Sequence, residues 1–366
     1  MSYGLDNLPY GVFSRRGEEP RVGVRFEDSV LEMDRAPSLN ALMAQGPAAW
    51  ADARGQAREL LESGSAELTP LEEIELHLPF EVADYVDFYS SLEHATNLGR
   101  LFRPDSEPLL PNWRWLPVGY HGRAGTVVVS GTPIVRPSGQ SKPPDADEPT
   151  YGPSRRLDIE LELGFVIGTP SRLGEPVPVE QALEHVFGVV IVNDWSARDI
   201  QAWEYQPLGP FLGKSFATSI GAWVTPLEAL EPFRVPGEAQ EPEPFDYLRA
   251  EPWAYDIALE VELNGEAISR TSARNLYWSV EQQIAHATVN GASLRTGDLL
   301  ATGTISGAEP GAQGSLIELT SNGAEPLRLA DGSERAFLED GDEVVLRGRA
   351  GDVELGEVRG TIVPPR

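Results

Sequence analysis

The sequence predicts a mostly β structure with some α-helix, divided between two domains. Its 366 residues exceed the length that a single hydrophobic core usually serves, so two domains are expected. Gly (36) and Pro (31) are frequent and spread along the chain, which favours many short strands joined by turns. With 41% hydrophobic residues, the chain has enough apolar surface to form a packed core.

The two domains are expected at residues 1–80 and 81–366. In the first, residues 22–26 have the composition of a strand, and residues 48–63 have the spaced apolar positions of a helix. The boundary is placed where a segment denser in apolar residues begins, near Leu78. Close to the other end, residues 341–346 are typical of a turn that leads into a strand.

The chain is strongly acidic. It has 29 Lys and Arg residues and 57 Asp and Glu residues, which gives a net charge of −28. A surface of this sign repels phosphate, so neither nucleic acid nor an anionic membrane is expected as a partner. It also repels an anionic substrate as a whole. A site for such a substrate must therefore concentrate Arg or Lys side chains locally.

The chain has no Cys, which excludes disulfides, thiolate metal sites and cysteine nucleophiles. Residues 1–16 lack the apolar core of a signal peptide, and no stretch approaches the ~20 apolar residues of a membrane helix. A cytoplasmic location is the expectation that follows.

Residues 157–163 alternate apolar and acidic side chains without a break. A period of two predicts a strand in which Asp158, Glu160 and Glu162 share one face, about 7 Å apart. Such a face is either solvated or holds a cation, and the alternation alone leaves both open. Residues 164–168 continue the run with apolar side chains on both faces, which indicates a central strand and favours the cation.

A polar helix is predicted at residues 193–205, after an apolar strand at 187–192. Asn193 has the residue type of an N-cap, as does the residue after it. Trp195 and Trp203 indicate that the helix is well packed, so its polar face is interpreted as lining a wet cleft, the alternative being an exposed surface. Four residues at helical spacing share that face: Asp194, Arg198, Gln201 and Tyr205.

Three of the five histidines are candidates for proton transfer: His94, His121 and His286. His94 is favoured because Asp87 and Tyr89 precede it closely. Carboxylate ligands without Cys select a hard ion such as Mg²⁺ or Ca²⁺. An ion of this kind polarises a carbonyl group while a histidine takes a proton from water, which predicts a metal-dependent hydrolase.

Longer motifs extend this picture over essentially the whole chain. They are NLPYGVF at 7–13, DFYSS at 87–91, HATN at 94–97, LPVGYHGR at 116–123, PLGPFLGKSF at 207–216, GDLLA at 297–301 and GTISG at 303–307. Together with residues 193–205 they resemble the fumarylacetoacetase family, also called the fumarylacetoacetate hydrolase family. The N-terminal unit is included in the resemblance, whereas the wider superfamily of diketo-acid hydrolases and decarboxylases generally shares only the catalytic domain.

The resemblance implies a fold, a reaction and a set of ions. The implied fold is an N-terminal SH3-like barrel followed by a catalytic mixed β-sandwich roll, in a homodimer. The implied reaction is hydrolysis of the carbon–carbon bond of fumarylacetoacetate, a small anionic diketo acid, to fumarate and acetoacetate, the last step of tyrosine and phenylalanine breakdown. The implied ions are Ca²⁺ and Mg²⁺, and Mn²⁺ suits the same oxygen ligands.

The resemblance also implies roles for individual residues. The Ca²⁺ ligands would be Asp87, Glu160, Glu162 and Asp194, and a second ion, Mg²⁺, would lie at Asp194, Lys214 and Thr218. The general base would be His94, oriented by Glu318 in a Glu–His–water triad. Negative charge would be stabilised by Arg198, Gln201 and Lys214. Substrate contacts would come from Tyr89, Arg103, Tyr120, Gln201, Tyr205 and Thr304.

Two alternatives stay open on the sequence. One is a related enzyme that hydrolyses acylpyruvates or decarboxylates oxaloacetate, and the N-terminal unit argues against it. The other is a binding protein that kept the fold without the chemistry, and the retained His94 and Glu318 argue against that. Ala217 stands where the family often has Gly, a change expected to be tolerated unless the backbone there has a positive φ.

Overall fold

The structure is a computed structural model that describes residues 3–33, 36–251 and 253–366. Strands dominate these residues, which confirms the predicted mostly β class with some α-helix. The first thirteen strands are β1 (Tyr10–Arg15), β2 (Arg21–Phe26), β3 (Ser29–Glu32), β4 (Leu68–Pro70), β5 (Ile74–Leu76), β6 (Tyr85–Phe88), β7 (Gly119–His121), β8 (Val127–Val129), β9 (Ile134–Val135), β10 (Ser138–Ser141), β11 (Thr150–Pro153), β12 (Leu157–Asp158) and β13 (Leu161–Ile167).

The described residues of the second half contain thirteen further strands. They are β14 (Val186–Asn193), β15 (Ser196–Ala197), β16 (Thr218–Ile220), β17 (Trp223–Pro226), β18 (Arg234–Pro236), β19 (Trp253–Tyr255), β20 (Ala258–Leu263), β21 (Glu266–Ser272), β22 (Leu299–Ala301), β23 (Leu327–Arg328), β24 (Glu334–Arg335), β25 (Glu343–Ala350) and β26 (Val353–Val363). The helices are α1 (Leu39–Met43), α2 (Pro47–Glu62), α3 (Leu92–Phe102), α4 (Arg198–Glu204), α5 (Leu227–Leu230), α6 (Val280–Thr288) and α7 (Leu316–Leu319).

The N-terminal strands are ordered β5-β1-β2-β3-β4, with α1 and α2 inserted between β3 and β4. The predicted strand at 22–26 and helix at 48–63 correspond to β2 and α2. A 3-10 turn, Leu71–Glu73, separates β4 from β5. Among the described strands no pairing between β4 and β5 closes this unit, so the hydrogen bonds do not complete the barrel that the resemblance implies.

The N-terminal unit is joined to the rest of the protein through β1. This strand also pairs with β17, Tyr10 lying opposite Val224, so that the N-terminal strands extend a sheet of thirteen strands. Tyr10 packs on Phe187 of β14, with ring centroids 5.3 Å apart. The two parts of the chain therefore share apolar packing as well as a hydrogen-bonded edge.

Strands β13 and β14 lie at the centre of the molecule and are buried on both faces. On one face, Leu163 and Ile191 belong to a core completed by the second sheet, whose order is β21-β20-β25-β26-β9. On the other face, Val166 and Val190 pack in a core shared with the N-terminal unit. This double burial explains the apolar run at 164–168 and confirms that the strand is central.

Four strand ends meet at one edge of the thirteen-stranded sheet. Strands β6 and β22 are parallel, with Asp87 opposite Ala301, while β13 is antiparallel to both β14 and β22. The start of β13 therefore lies beside the ends of β6, β14 and β22. Any polar side chains at these four positions are brought together by the register of the sheet alone. Among the described residues, no helix has the length and apolar character needed to cross a membrane.

Candidate active site

Four buried carboxylates converge at the edge where the strand ends meet. Each offers an oxygen atom, and these four atoms lie within 4.8 Å of one another. One comes from the end of β6, one from directly before β13, one from the beginning of β13 and one from just after β14: Asp87, Glu160, Glu162 and Asp194. All are at most 5% exposed, so the interpretation of this strand face as solvated is wrong.

The cluster has the properties of a site for a hard cation. Burial and the neighbouring acids raise the pKa of Asp87 and of Glu162 well above the usual range. Within the described part of the chain, Asp87 Oδ1 and Glu162 Oε1 accept no hydrogen bond. Buried oxygens that repel one another and lack donors fit a divalent ion with oxygen ligands, and these four residues would hold it.

Lys214 partly neutralises this cluster. Its ammonium donates to Asp194 Oδ2 at 2.7 Å and to Glu160 Oε2. Burial alone would lower the pKa of Lys214, but Asp194 and Glu160 raise it, so the side chain stays charged. In the same way burial would raise the pKa of Glu160, and Lys214 with Arg198 lowers it to about 2.

Asp194 is the most heavily hydrogen-bonded member of the cluster. Besides Lys214, it accepts a hydrogen bond from the hydroxyl of Tyr120 at 2.7 Å and from that of Thr218 at 2.9 Å. Of the three residues expected at the second ion, Lys214 and Thr218 each donate a hydrogen bond to Asp194. A second ion at this place stays a prediction.

Arg198 extends from the first position of α4 towards the cluster and is 4% exposed. Its Nη1 atom lies 2.7 Å from Glu160 Oε1 and donates to Gln201 Oε1 at 3.3 Å. Burial would lower the pKa of Arg198, yet Glu160 and Asp158 raise it. The Nη2 atom is buried and has no hydrogen-bond partner in the described chain, which leaves one donor for a bound group.

His94 and Glu318 form a buried pair beside these residues. The Nδ1 atom of His94 lies 2.6 Å from Glu318 Oε2, and the ring of Tyr89 packs edge-on against the imidazole. Asn97 donates to the other oxygen of Glu318 at 3.0 Å. Burial would raise the pKa of Glu318, but His94 and the surrounding donors lower it. If Nδ1 carries the proton in this contact, Nε2 is free to accept one.

Two serines complete the surroundings of the Glu318 carboxylate. Ser306 donates to Oε2 at 3.0 Å and Ser315 donates to the same atom at 2.7 Å. Sequence reasoning missed both serines and Asn97. The signal for Ser315 was present, because Ser three positions before Glu at a helix start is the spacing of a capping box.

The other expected substrate residues differ in exposure and in hydrogen bonding. Thr304 follows β22, is 2% exposed, and its hydroxyl has no partner among the residues described. Tyr205 ends α4 and is 49% exposed. Arg103 ends α3, and its Nη2 donates to the carbonyl of Pro108 at 2.7 Å. Their contacts with a substrate stay predictions.

The two rival histidines have different surroundings from His94. His286 is on α6, where its ring stacks on Tyr247 and lies 3.1 Å from that hydroxyl. His121 ends β7 at an exposed position and lines a cavity of about 120 Å³ together with Asp194 and Lys214. Of the three candidates, His94 is the one paired with a buried carboxylate.

The helix expected at 193–205 starts later than predicted. Ser196 and Ala197 form β15, which pairs with β12, and α4 begins only at Arg198. Asp194 therefore belongs to the turn after β14 and does not cap the helix. Trp195 is fully buried but lies before α4, and Trp203, which is in α4, is 43% exposed, so the prediction that both pack a helix is wrong.

Asp158 is also placed differently from the prediction. Strand β12 ends at Asp158 and β13 begins at Leu161, so the run is interrupted between them. As a result Asp158 lies outside the group of four carboxylates and pairs with Arg198 instead, at 2.8 Å. Ala217 has no positive φ, in agreement with the expectation that Ala is tolerated there.

Comparison with known proteins identifies relatives over both parts of the chain. A family model described as Fumarylacetoacetase N-terminal matches residues 6–79, and one described as Fumarylacetoacetate (FAA) hydrolase C-terminal matches residues 84–363. The fumarylacetoacetase of Homo sapiens is 47% identical and that of Rattus norvegicus 46%, each over 99% of this chain and 96% of that protein.

Solved structures support the fold. The fumarylacetoacetate hydrolase of Exiguobacterium antarcticum superimposes with a TM-score of 0.61 at 20% identity, over 98% of this chain and 100% of that one. The maleylpyruvate hydrolase of Sphingobium sp. SYK-6, in complex with manganese(II) and pyruvate, gives 0.59 at 16% identity over the same shares. At these identities the likeness concerns the fold alone.

Proposed function

Because this chain belongs to the fumarylacetoacetase family, we propose that it hydrolyses the carbon–carbon bond of fumarylacetoacetate to fumarate and acetoacetate. The observation that carries the proposal is the buried pair of His94 and Glu318 beside four converging carboxylates. Hydrolysis of a ketone needs a base for water and positive charge for an oxyanion, and this site offers both.

We propose Ca²⁺ as the ion held by the four carboxylates, with Mg²⁺ at Asp194, Lys214 and Thr218. Mn²⁺ suits the same oxygen donors. A divalent ion at the cluster would polarise the carbonyl group next to the bond that breaks. The orphaned oxygens of Asp87 and Glu162 support the first position, and the donor set alone does not choose among these ions.

His94 prepares the water molecule that attacks. Its Nε2 atom accepts a proton from water, and the resulting hydroxide oxygen bonds to the carbonyl carbon of the fumaryl group. Glu318 stays ionised and accepts the hydrogen bond from Nδ1, which orients the ring and stabilises the imidazolium that forms. This arrangement is the proposed Glu–His–water triad.

The cationic residues receive the negative charge that develops. Arg198 has a free Nη2 donor and the buried Lys214 ammonium lies beside it, so both stabilise the tetrahedral oxyanion, with Gln201 as a polar neighbour. When the carbon–carbon bond breaks, its electron pair passes to the methylene carbon of the acetoacetate part. The enolate takes up the proton that His94 removed from water, and the new carboxylic acid of the fumaryl group loses its proton to solvent, so the products are acetoacetate and fumarate.

We propose that the ends of the substrate are held by residues around this centre. Arg103 supplies a guanidinium for a carboxylate, which answers the need for local positive charge in an acidic chain. Tyr205 closes the exposed side, and the unpartnered hydroxyl of Thr304 faces the buried side. Tyr89 and Tyr120 stand next to His94 and Asp194 and would shape the reacting end.

We also propose a cytoplasmic homodimer, as the family resemblance implies. The loop after α4 exposes Leu208 (96%), Phe211 (64%) and Leu212 (50%), a set of apolar side chains that favours a protein contact. Light scattering after gel filtration should give about twice the 39.9 kDa of the chain. A monomer at working concentrations would contradict this part, and cell fractionation would test the location.

The first experiment is to follow the absorbance of fumarylacetoacetate after adding purified protein, with and without chelator, and to identify the products. We expect metal-dependent loss with fumarate and acetoacetate in equal amounts. The same assay with acylpyruvates and oxaloacetate tests the related activities. No turnover of fumarylacetoacetate by protein with bound metal would refute the proposal, and binding without turnover of any substrate would favour a binding protein.

A further inference from the structure

We infer that Asp158 is a positioning residue that fixes Arg198 and Glu318 relative to each other. The inference rests on the proposed function, because those two residues serve opposite sides of the proposed reaction. Arg198 stabilises charge on the substrate, and Glu318 orients the base. Asp158 contacts neither substrate nor base, and it acts through the residues that do.

Both carboxylate oxygens of Asp158 accept hydrogen bonds. Oδ2 accepts a hydrogen bond from Arg198 Nε at 2.8 Å and one from the backbone amide of Ile317 at 3.1 Å. Oδ1 accepts from the backbone amide of Leu316 at 2.7 Å and from that of Ile159 at 2.8 Å. The side chain is fully buried, so these four donors stand in place of water.

The bonds to Leu316 and Ile317 fix the start of α7. These are the first two amides of a helix of four residues, and Glu318 follows them directly. The N-cap residue, Ser315, makes no side-chain bond to the helix amides and donates its hydroxyl to Glu318 instead. Since so short a helix is not stable by itself, its place depends on the carboxylate of Asp158.

The bond to Arg198 fixes the direction of its guanidinium. With the Nε edge taken by Asp158 and Nη1 by Glu160 and Gln201, the orphaned Nη2 is the donor that remains for a substrate oxygen. The backbone reinforces this arrangement, because Asp158 lies opposite Ser196 in the pairing of β12 with β15, two residues before Arg198.

Stability of the core alone does not account for this arrangement. A buried ion pair adds little net stability compared with apolar side chains of equal volume, because both charges lose their hydration. What the carboxylate of Asp158 provides is geometry, since it accepts donors from the two elements that carry Arg198 and Glu318. A shift of either element changes the distance between the charged donor and the base.

Double-mutant cycles test the inference with a readout that a purely structural role would not move. Asp158→Asn is combined with Glu318→Asp and, separately, with Arg198→Lys, and kcat on fumarylacetoacetate is measured for each protein. Alone, Asp158→Asn should lower kcat about a hundredfold, the scale expected when an oxyanion donor and a base are both displaced. In each of the other two backgrounds the additional loss should fall below about tenfold.

The matched control is Asp342→Asn. Asp342 is a buried carboxylate that accepts hydrogen bonds from Arg335, Asn264 and the amide of Glu339, none of which has a role in the proposed chemistry. It should lower Tm and leave kcat within about twofold of wild type. Should Asp158→Asn not give folded protein, Asp158→Ser, which leaves room for water, goes through the same cycles.

The outcomes separate the inference from the function on which it rests. If Asp158→Asn lowers kcat less than threefold, or if its full effect recurs in either background, Asp158 does not act through Arg198 and Glu318 and the inference is wrong. If the wild-type protein with bound metal does not turn over fumarylacetoacetate, the proposed function is wrong, and the inference that rests on it is wrong as well.

Discussion

The Nδ1 atom of His94 lies 2.6 Å from Oε2 of Glu318, although 224 positions separate the two residues in the chain. His94 is in the first turn of α3, whose N-cap Ser91 accepts a hydrogen bond from its backbone amide. Glu318 is held from the other side by hydroxyl groups and an amide. Burial would raise the pKa of Glu318, but His94 first, and then these donors, lower it. A permanent carboxylate in this position selects the tautomer of His94 whose Nε2 can take a proton.

Replacing Glu318 with Gln should therefore lower kcat by about a hundredfold or more, the range of a lost general base. If the carbonyl oxygen of Gln accepts the hydrogen bond from Nδ1, its NH₂ group takes the place of Oε1 and faces the donor amide of Asn97. Metal affinity, measured by calorimetry, should be unchanged because Glu318 lies outside the carboxylate cluster. Glu325→Gln, on an exposed residue beyond the same helix, is the control. Wild-type turnover in Glu318→Gln would rule out the assigned pair.

The stabilisation by metal should grow as pH rises. Burial and like charges raise the pKa of Asp87 and Glu162 above their unfolded values. At low pH these two groups are protonated in the metal-free fold and stabilise it. This contribution to the free energy of unfolding is lost as pH rises through their folded pKa. The difference in Tm between metal-loaded and chelated protein should widen by at least about 2 °C from pH 5 to pH 8.

Glu160 provides the internal check on this pH dependence. Its pKa of about 2 lies below the pH range tested, so Glu160 stays ionised throughout. It therefore does not change the difference in Tm with pH. The net charge of −28 affects both forms of the protein in a similar way and largely cancels in the difference. A gap in Tm that is constant from pH 5 to pH 8 would mean that these carboxylates are not coupled to the ion.

Glu162→Gln should change stability and metal affinity in opposite directions. Gln keeps an acceptor for the amide of Gly303, which donates to Glu162 at 3.1 Å, but it removes one of the repelling charges. The chelated variant should melt above chelated wild type, while its metal affinity falls at least about tenfold. Calorimetry and thermal melts measure the two effects, with exposed Glu184→Gln as control. A variant that loses stability without metal would contradict the repulsion argument.

Some of this site was predictable from local pattern. The alternation at 157–163 identified Glu160 and Glu162, and their apolar neighbours Leu161 and Leu163 are buried as a period of two requires. That pattern could not show where the strand breaks. Asp158 leaves the common face because its partners are the amides of α7, more than 150 residues later in the chain, and such long-range contacts have no local signature.

The placement of Asp194 shows the same limit. Its helical spacing to Arg198 is real, but β15 forms between them because β12 offers a pairing partner. The five-residue motif at 303–307 identified the region of Thr304, whereas the role of Ser306 appears only when α7 packs beside it. Residue types and family motifs thus predicted the members of the site, and tertiary pairing decided which member touches which.

The last prediction concerns the loop that leads to Lys214. Glu204 Oε1 accepts hydrogen bonds from the backbone amides of Phe211, at 3.0 Å, and Gly213, at 2.6 Å, and so closes the loop directly before Lys214. Glu204→Ala should lower kcat/KM about tenfold, because the loop loses two charge-assisted bonds and Lys214 loses its fixed direction.

Glu204→Gln is the matched control, since its carbonyl oxygen can still accept both bonds. It should retain kcat/KM within about threefold of wild type, with metal affinity unchanged in both variants. Gly213→Ala disturbs the same loop by a steric clash, because its Cβ would lie 2.8 Å from the backbone nitrogen of Gln201. Gly213→Ala should lower kcat/KM by about as much as Glu204→Ala does. Equal activity of Glu204→Ala and Glu204→Gln would show that this loop does not position Lys214.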